Sequence, residues 1–587
     1  MIELYINKIR AVLPDDLNFT FLQENPYFTN NSNSTLDIEL PLQGNVNRSI
    51  FGYVDRMDVA KKRAVMEAEL RVSGIIYLYG SAIITDITES SVTIQLVSGN
   101  SEFNFRTNSD IYIDDIDLGK IVFPTFPVST TWLPASDKTK YFGSVDQVEA
   151  VWLPVKFGDD IHNMIVYQLG SENFHPRPWW NDHCVQPYLL TVIDRLVKWA
   201  GYKIGKNAIA ESFLRNLYLV NAVQTDVLAK ALPHWTISEF WDEIEKFCSV
   251  IIVVDELTKE VNFLPMNEFF NDNDRVYIDS VVSEYSVEVN DSGNEKDITT
   301  GNVGYDLDSN DLNKYYCVDR SGLSKIEPLT FSTKADLVAY YNNLKDEDKV
   351  SFWGSIANRN HINYIDEDGS YALREVNQFG DLIRDETDDS NNVSLKIVPA
   401  AMECYNLGVY NSYNDPRLGV PMVTDLRLWV PVTSYFTELP KDEKINIQEA
   451  IESNTTSGSG RDIMEVAFNT GSMANISVEY QGQKHAYNYN CPFTDGNMIL
   501  PNQNNGFPAY SLSLHVVCKD CIGYLIDNTN RISSDILYNI QFLYDGKLDP
   551  KKVFIINNQK YVCEHLEIEA DNNRFSRLVN GYFYRIG

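Results

Sequence analysis

Cys518 and Cys521, spaced Cys-x-x-Cys, stand three residues after His515, and Cys563-x-His565 follows later. These are donor types that zinc prefers, and a tetrahedral site needs two tight ligand pairs. The second pair lies two residues apart in an apparent strand, which puts both side chains on one face. Packed thiols explain the same residues more simply, because cysteine is among the most buried residue types. Asp366, Asp368, Gly369 and Glu375 fit positions of a calcium loop, but its first position falls on Tyr364, where a carboxylate is needed. Asp306, Asp308 and Asn310 begin a similar pattern without its glycine and closing glutamate, so solvated acidic loops are the favoured reading. Asp182, His183 and Cys184 follow two tryptophans and offer a nucleophile beside a base. Neighbouring side chains usually point apart, whereas a triad converges from separate segments, so a packed aromatic corner is expected there. No catalytic, cofactor-binding or metal-ligating residue is assigned, and no cofactor is expected.

With 82 acidic residues, a carboxylate pair suited to glycoside hydrolysis could form anywhere, and none stands out. The chain has no phosphate loop, no dinucleotide-binding glycine turn, no His-Glu-x-x-His helix and no Gly-x-Ser-x-Gly elbow. Only 49 basic residues oppose the acids, giving a net charge of −33, which argues against gripping nucleic acid through its phosphates. An acidic wall would let DNA slide past unbound. Eight scattered cysteines are too sparse for a disulfide framework and fit reduced thiols. Asn-x-Ser/Thr triplets such as Asn18-Phe19-Thr20 and Asn475-Ile476-Ser477 reflect an Asn-rich composition. Residues 1–10 alternate like a strand and do not resemble a signal peptide. No apolar run approaches the roughly 20 residues that span a bilayer, so a soluble protein without membrane insertion is expected.

The elements that would position any site are mainly strands. Residues 65–97 read as three strands with very short turns. Met66, Ala68, Leu70 and Val72 alternate with Glu67, Glu69 and Arg71; Ser73-Gly74 turns the chain; 75–88 is β-branched and aromatic; Val92, Ile94 and Leu96 alternate again. Such a meander could curl into a small barrel. The spacing predicts helices over 187–201, stopped at Gly201, and from Thr236, where Thr236 and Glu239 form a capping box. A hairpin is expected over 249–264, a strand over 276–289, a helix over 334–344, strands over 394–399 and 423–432, and a hairpin turning at Asn557-Asn558 before a last strand at 581–586.

At 587 residues the chain is too long for one core. The expected fold class is α+β, β-rich and multidomain: two small β-barrel-like modules separated by a helical segment, plus a mixed, β-rich C-terminal region. The expected segments are an N-terminal barrel-like domain with extension at 1–185, a helical segment at 186–248, a second barrel-like module at 249–330, a mixed α/β region at 331–437, a linker or mobile loop at 438–465, and a β-rich region at 466–587.

The chain carries DIELPL (37–42) followed by Ile50-Phe51-Gly52 and Arg56, GSAIITDITESSVTIQLVSGNSEF (80–103), QPYLLTVID (186–194), LPHWTISEFWDEIEKF (232–247), YSVEV (285–289), and the closing KYVCEHLEIE and GYFYRI. These phrases resemble the hub proteins at the tail end of bacteriophages, especially phages and prophages of Bacteroidetes. They cover about half the chain, mainly 1–320 and the last 35 residues; 330–550 carries no such phrase. The resemblance implies a homotrimer in which two similar small barrels per chain build a ring of six, joining a sixfold tail tube above to a threefold tip below. Its implied partners are tail tube, distal tail, spike and fibre proteins, with genomic DNA passing through the ring without specific binding. Its implied location is the virion tail, assembled in the host bacterial cytoplasm. Three copies at −33 each would carry −99, and acids in the lumen would repel passing phosphates.

Two other readings compete with this structural, non-enzymatic role. A tail-associated cell-wall or glycan hydrolase would need convergent carboxylates in a groove of the C-terminal half. A surface carbohydrate-binding protein would draw on the 12% aromatic content.

Overall fold

The computed structural model describes residues 1–586 apart from 60–64, 108–110, 123–131, 159, 172, 178–183, 271–273, 283–284, 290–302, 307–328, 350–351, 357–358, 366–370, 377–392, 407–422, 424–426, 434–461, 497–507, 515–517, 528–531, 533–534 and 572–573. The fold is β-rich α+β with several sheets.

The largest sheet has 14 strands and draws on both ends of the chain. Its N-terminal strands are β1 (Ile2–Ile6), β2 (Ile9–Arg10), β3 (Asn18–Glu24), β4 (Asn33–Thr35), β5 (Ile38–Pro41), β6 (Val65–Val72), β7 (Ile75–Ile87) and β8 (Ser91–Val97). The expected meander is β6-β7-β8, antiparallel throughout. The short helix α1 (Asn100–Arg106) follows at once. Helices α2 (Leu189–Trp199) and α3 (Ile237–Cys248) then lead to the antiparallel hairpin β9 (Val250–Asp255) and β10 (Glu260–Pro265). The capping box at Thr236 and Glu239 is formed: the Thr236 hydroxyl accepts from the Glu239 N–H, and the Glu239 carboxylate accepts from the Thr236 N–H.

The strands between 249 and 330 are shared among neighbours. Hairpin β9-β10 pairs with Lys203–Asn207, whereas β11 (Arg275–Ile278) and β12 (Ser286–Val289) join the large sheet. The C-terminal strands there are β13 (Ile536–Leu543), β14 (Val553–Ile556), β15 (Gln559–Asp571) and β16 (Arg574–Ile586), of which β14 pairs with β11 and β13 with β12. The main path runs β2-β1-β6-β7-β8-β4-β3-β15-β16-β13-β12, with β5 on β8, β14 on β15 and β11 on β14. The physical reason for this sharing is a common core. Apolar side chains of the N-terminal strands (Leu4, Phe19, Phe21, Leu70, Ile94) pack with those of the C-terminal strands (Phe542, Phe554, Leu566, Val579, Phe583).

A second core surrounds α2 and α3, which present Val192, Ile193, Leu196, Phe240, Ile244 and Phe247 to Trp152, Trp235 and Trp429. Most of the expected linker at 438–465 lies outside the described residues, but Met464 and Glu465 open the strand Met464–Phe468. That strand pairs with Leu217–Leu219 and Ile397–Pro399, so segments from three expected regions share this core.

Buried amides and charges weld the two cores. Asn100, 4% exposed, accepts from the Val254 N–H (2.9 Å) and donates to the Ile252 carbonyl (2.6 Å), standing in for a strand on the free side of β9. Asn47 does the same for Val12, with bonds of 2.9 and 2.8 Å. Glu102, whose side chain is 1% exposed, accepts from Ser81 (2.8 Å) and Arg106 (2.9 Å) and also bonds Lys259 in the β9-β10 turn. Replacing Asn100 with alanine strands a buried donor and a buried acceptor of β9, each costing ~1–3 kcal/mol. A destabilisation of ~2–4 kcal/mol is expected for Asn100→Ala, measured as a lower denaturant midpoint with unchanged slope.

Candidate functional site

Strands β3 and β15 join the halves of the large sheet. Asn18 to Glu24 runs antiparallel to His565 to Asp571, with Phe21 opposite Ile568 and Thr20 opposite Glu569. Residues opposite each other in such a ladder share a face. Phe19, Phe21, Leu566, Ile568 and Ala570 therefore turn to the core, and Thr20, Leu22, Glu567, Glu569 and Asp571 turn out. Elsewhere the same outward alternation places Glu3, Glu67, Glu69, Thr93 and Gln95 opposite the buried positions of β1, β6 and β8. Arg71 is neutralised there by Glu69 at 2.6 Å. The outward face thus carries acidic residues on β1, β6 and β15 and is interrupted at β7, where Ile76, Tyr79 and the buried Ser81 and Ile83 share it and Glu102 and Lys259 cover it.

At the junction itself Glu24 lies opposite His565, beside Glu564, whose carboxylate accepts from the Tyr584 hydroxyl at 2.6 Å. Burial pushes the Glu24 carboxyl above its ordinary value. Burial also acts on Glu564, but bonds from His565 and Tyr584 outweigh it and hold that carboxyl below its ordinary value. A raised folded value stabilises the protein below the unfolded value and loses that contribution as pH rises; a lowered value contributes above the unfolded value and is lost on acidification. At pH 7, Glu24→Gln is therefore expected to raise the thermal midpoint and Glu564→Gln to lower it. Both differences should shrink as pH falls below about 4. A pH series of melting curves checks the opposite signs.

Among the described residues, the main path of the sheet ends in two edge strands, while β5 and β11 end its side branches. At one, β2 pairs only with β1 across a turn in which Asn7 (φ 48°) and Lys8 (φ 67°) are both left-handed. Its outer residues Lys8, Ile9 and Arg10 are all exposed. At the other, β12 pairs only with β13, and all four of its residues are exposed. Tyr285 and Val289 are 63% and 71% exposed there, beside exposed Val287 and Ile536. One edge is apolar and basic; the other is apolar, aromatic and carries Glu288. Both edge strands are short, two and four residues, and their unpaired N–H and C=O groups are what another strand would meet.

The residues singled out for metal or catalysis are dispersed. Cys521 donates to the Cys518 carbonyl, and burial together with Cys521 pushes the Cys518 thiol up to about 11. Cys563 belongs to the core of the large sheet, and a register shift between Cys563 and His565 breaks the alternation that would put them on one face. His565 instead stacks on Tyr582, ring centroids 3.9 Å apart. Cys184 is buried in the second core, where its N–H donates to Asn163 at 3.0 Å. Tyr364 and Glu375 lie on the paired strands Arg359–Ile365 and Tyr371–Val376. His515, Asp182, His183, Asp308, Asn310, Asp366, Asp368 and Gly369 lie outside the described residues. Sequence reasoning missed both edges and the joined face, which arise only when the chain's two ends pair.

No protein-family model and no curated protein sequence matches the chain. Among solved structures, the prophage MuSo2 43 kDa tail protein from Shewanella oneidensis is similar over 100% of this chain and 96% of that one, at 7% identity and a TM-score of 0.30.

Proposed function

We propose that this protein is a structural, non-enzymatic component of a bacteriophage tail, a baseplate or tail-tip hub that forms a homotrimeric ring and joins the tail tube to the spike and fibres. The observation that carries the reading is the single large sheet, which turns acidic residues outward on β1, β6 and β15 and whose main path ends in two unlike edge strands. A subunit with different edges at its two ends associates head to tail, and such contacts make a closed ring when the rotation closes. In this reading the β12 edge of one copy pairs with the β2 edge of the next, bringing Glu288 towards Lys8 and Arg10 and covering Ile9, Val287 and Val289. The acidic face then lines a passage through which DNA moves without sticking, because like charge keeps phosphates off the wall. The sequence phrases shared with tail hubs support the same role, with assembly in the host cytoplasm and residence in the virion tail.

Electron-microscopy class averages and solution mass of the full-length protein test this reading. A threefold ring with an open centre at three times 67.1 kDa is expected, formed by the protein alone or on adding its tube or spike partners. A monomer that stays monomeric with those partners and degrades cell-wall glycan would replace the hub with a hydrolase.

A further inference from the structure

Cys518 and Cys521 stand as thiols on either side of a bend beside the second core. After the bend, Asp520–Cys521 pairs in parallel with Tyr510–Ser511, and the chain enters the helix Ile522–Asp527, whose Ile522 and Ile526 pack in that core. The Cys521 thiol donates to the Cys518 carbonyl at 3.1 Å, and the Cys518 thiol donates to the Ala509 carbonyl at 3.2 Å. The two sulfurs are also close enough to hydrogen-bond each other. Their access to solvent differs. Cys518 is half-buried and precedes exposed Lys519 and Asp520, whereas Cys521 is fully buried.

We propose that Cys518 and Cys521 form a reversible disulfide site, closed by exchange with a low-molecular-weight disulfide of the glutathione type. Two sulfurs already in contact across a bend need little side-chain movement to bond, which is the condition most cysteine pairs fail. The unequal access matches the two steps of exchange. The outer Cys518 sulfur, as thiolate, attacks one sulfur of the small disulfide; that S–S bond breaks, and one small thiolate leaves and takes up a proton. The Cys521 sulfur loses its proton and attacks Cys518 from inside, where no external reagent has to reach. The mixed S–S bond breaks and the second small thiol departs, so two protein thiols are oxidised and one small disulfide is reduced to two thiols. Cys184, Cys248, Cys491 and Cys563 lie buried in the two cores, closed to the first step.

Asp520, Lys519, Cys521 and the buried Tyr305 are the titratable groups around the pair. Burial, followed by Cys521, holds the Cys518 thiol up at about 11, so closure is slow at neutral pH. A thiol with a raised value is also a poor leaving group, so the closed form persists once made. Closure pins the bend against the Tyr510–Ser511 strand and the first turn of the helix, where the Gly523 N–H donates to the Ser513 carbonyl at 3.0 Å and the Tyr524 N–H to the Cys521 sulfur at 3.3 Å. On the tail role proposed above, and only in this clause resting on it, the pair is open during assembly in the reducing cytoplasm and closes after release.

The test uses the full-length protein and its Cys518→Ser variant, incubated with excess oxidised glutathione, then quenched, alkylated and mapped by peptide mass spectrometry. The expected product is a Cys518–Cys521 disulfide, two hydrogens lighter, that reopens in dithiothreitol and is absent from the variant. Its rate of formation is expected to rise about tenfold per pH unit from pH 7 to 9, following the thiolate fraction. Amide exchange at Gly523 and Tyr524 is expected to slow at least about threefold in the closed form. Thiols that persist after a day at pH 9, or glutathione that stays on Cys518 without closure, overturn the proposal. Stoichiometric zinc held by the pair and blocking exchange overturns it too, by assigning the sulfurs to a metal. The disulfide is read in any oligomeric state, so these outcomes are separate from the fate of the ring.

Discussion

Replacing Val287 and Val289 with lysine is expected to leave a folded monomer of about 67.1 kDa where the proposed ring predicts three times that mass for the unmodified protein. Both positions are exposed in the monomer and pack against nothing in the cores, so the substitutions are expected to change stability by less than about 0.5 kcal/mol. In the ring the same side chains are covered at every contact. Each lysine ammonium must then either lose water or hold the strands apart, and charged edge residues are how natural sheets prevent edge pairing. In the proposed contact the lysines would also face Lys8 and Arg10 of the next copy, setting like-charge repulsion, which costs several kcal/mol across an interface, against the attraction of the retained Glu288. A closed ring repeats the loss at every contact, so the shift in assembly is expected to exceed a hundredfold in protein concentration. Native mass spectrometry or light scattering across a concentration series reads it. An unchanged ring mass in the double variant would show that β12 is not a subunit edge. Restoration of rings by adding Lys8→Glu and Arg10→Glu to the double variant would identify β2 as the edge it meets.

The elements around these edges differ in how far the sequence reveals them. The alternation of Met66, Ala68, Leu70 and Val72 with Glu67, Glu69 and Arg71 is a local pattern, and β6 follows it residue by residue. The Thr236 and Glu239 pair is likewise local, and α3 begins there. Asn557 and Asn558 adopt φ of 50° and 59°, the left-handed values that a two-residue hairpin turn demands and that asparagine tolerates. Helix α1 escapes such reading because its cap is Gly99, whose side chain offers no bond, and it spans under two turns. Its place is fixed instead by distant partners, Asn100 on β9 and Glu102 on Lys259.

The join of β3 to β15 has no local signature at all. Each strand alternates correctly by itself, yet nothing in 18–24 specifies a partner near the other end of the chain; the shared core of Phe21, Leu566 and Ile568 sets the register. The YSVEV phrase shows the opposite limit. Val287 and Val289 alternate as a half-buried strand would, but among the described residues nothing packs over β12, and all four of its residues are exposed. The one-face argument for Cys563 and His565 meets a related limit: spacing along the chain encodes proximity only where the backbone is regular, and the register shift between these two residues removes that condition.

Converting Glu567 and Glu569 to lysine is expected to turn an indifferent ring into one that retains DNA. Both carboxylates point away from the core, on the strand that joins the two halves of the sheet, and their removal leaves Leu566, Ile568 and Ala570 packed as before. Each substitution changes the charge by two, so three copies bearing two substitutions move the lining by twelve units towards positive. Each lysine that meets a phosphate releases a counterion, and the affinity for duplex DNA then falls with salt by about 0.9 log units per contact per log unit of salt. With six such lysines around a passage, a loss of ~10³-fold or more in affinity between 50 and 200 mM salt is expected for the variant, against no measurable binding for the unmodified ring. Fluorescence anisotropy of a labelled duplex across a salt series measures the slope, and genome release from particles assembled with the variant measures the consequence as slowed ejection. Retained ring mass beside a steep salt dependence would place this face on the DNA path. An intact ring whose ejection rate and DNA affinity are untouched would put the acids on the outside of the assembly, where they serve solubility, and the passage would have to be lined by another face of the chain.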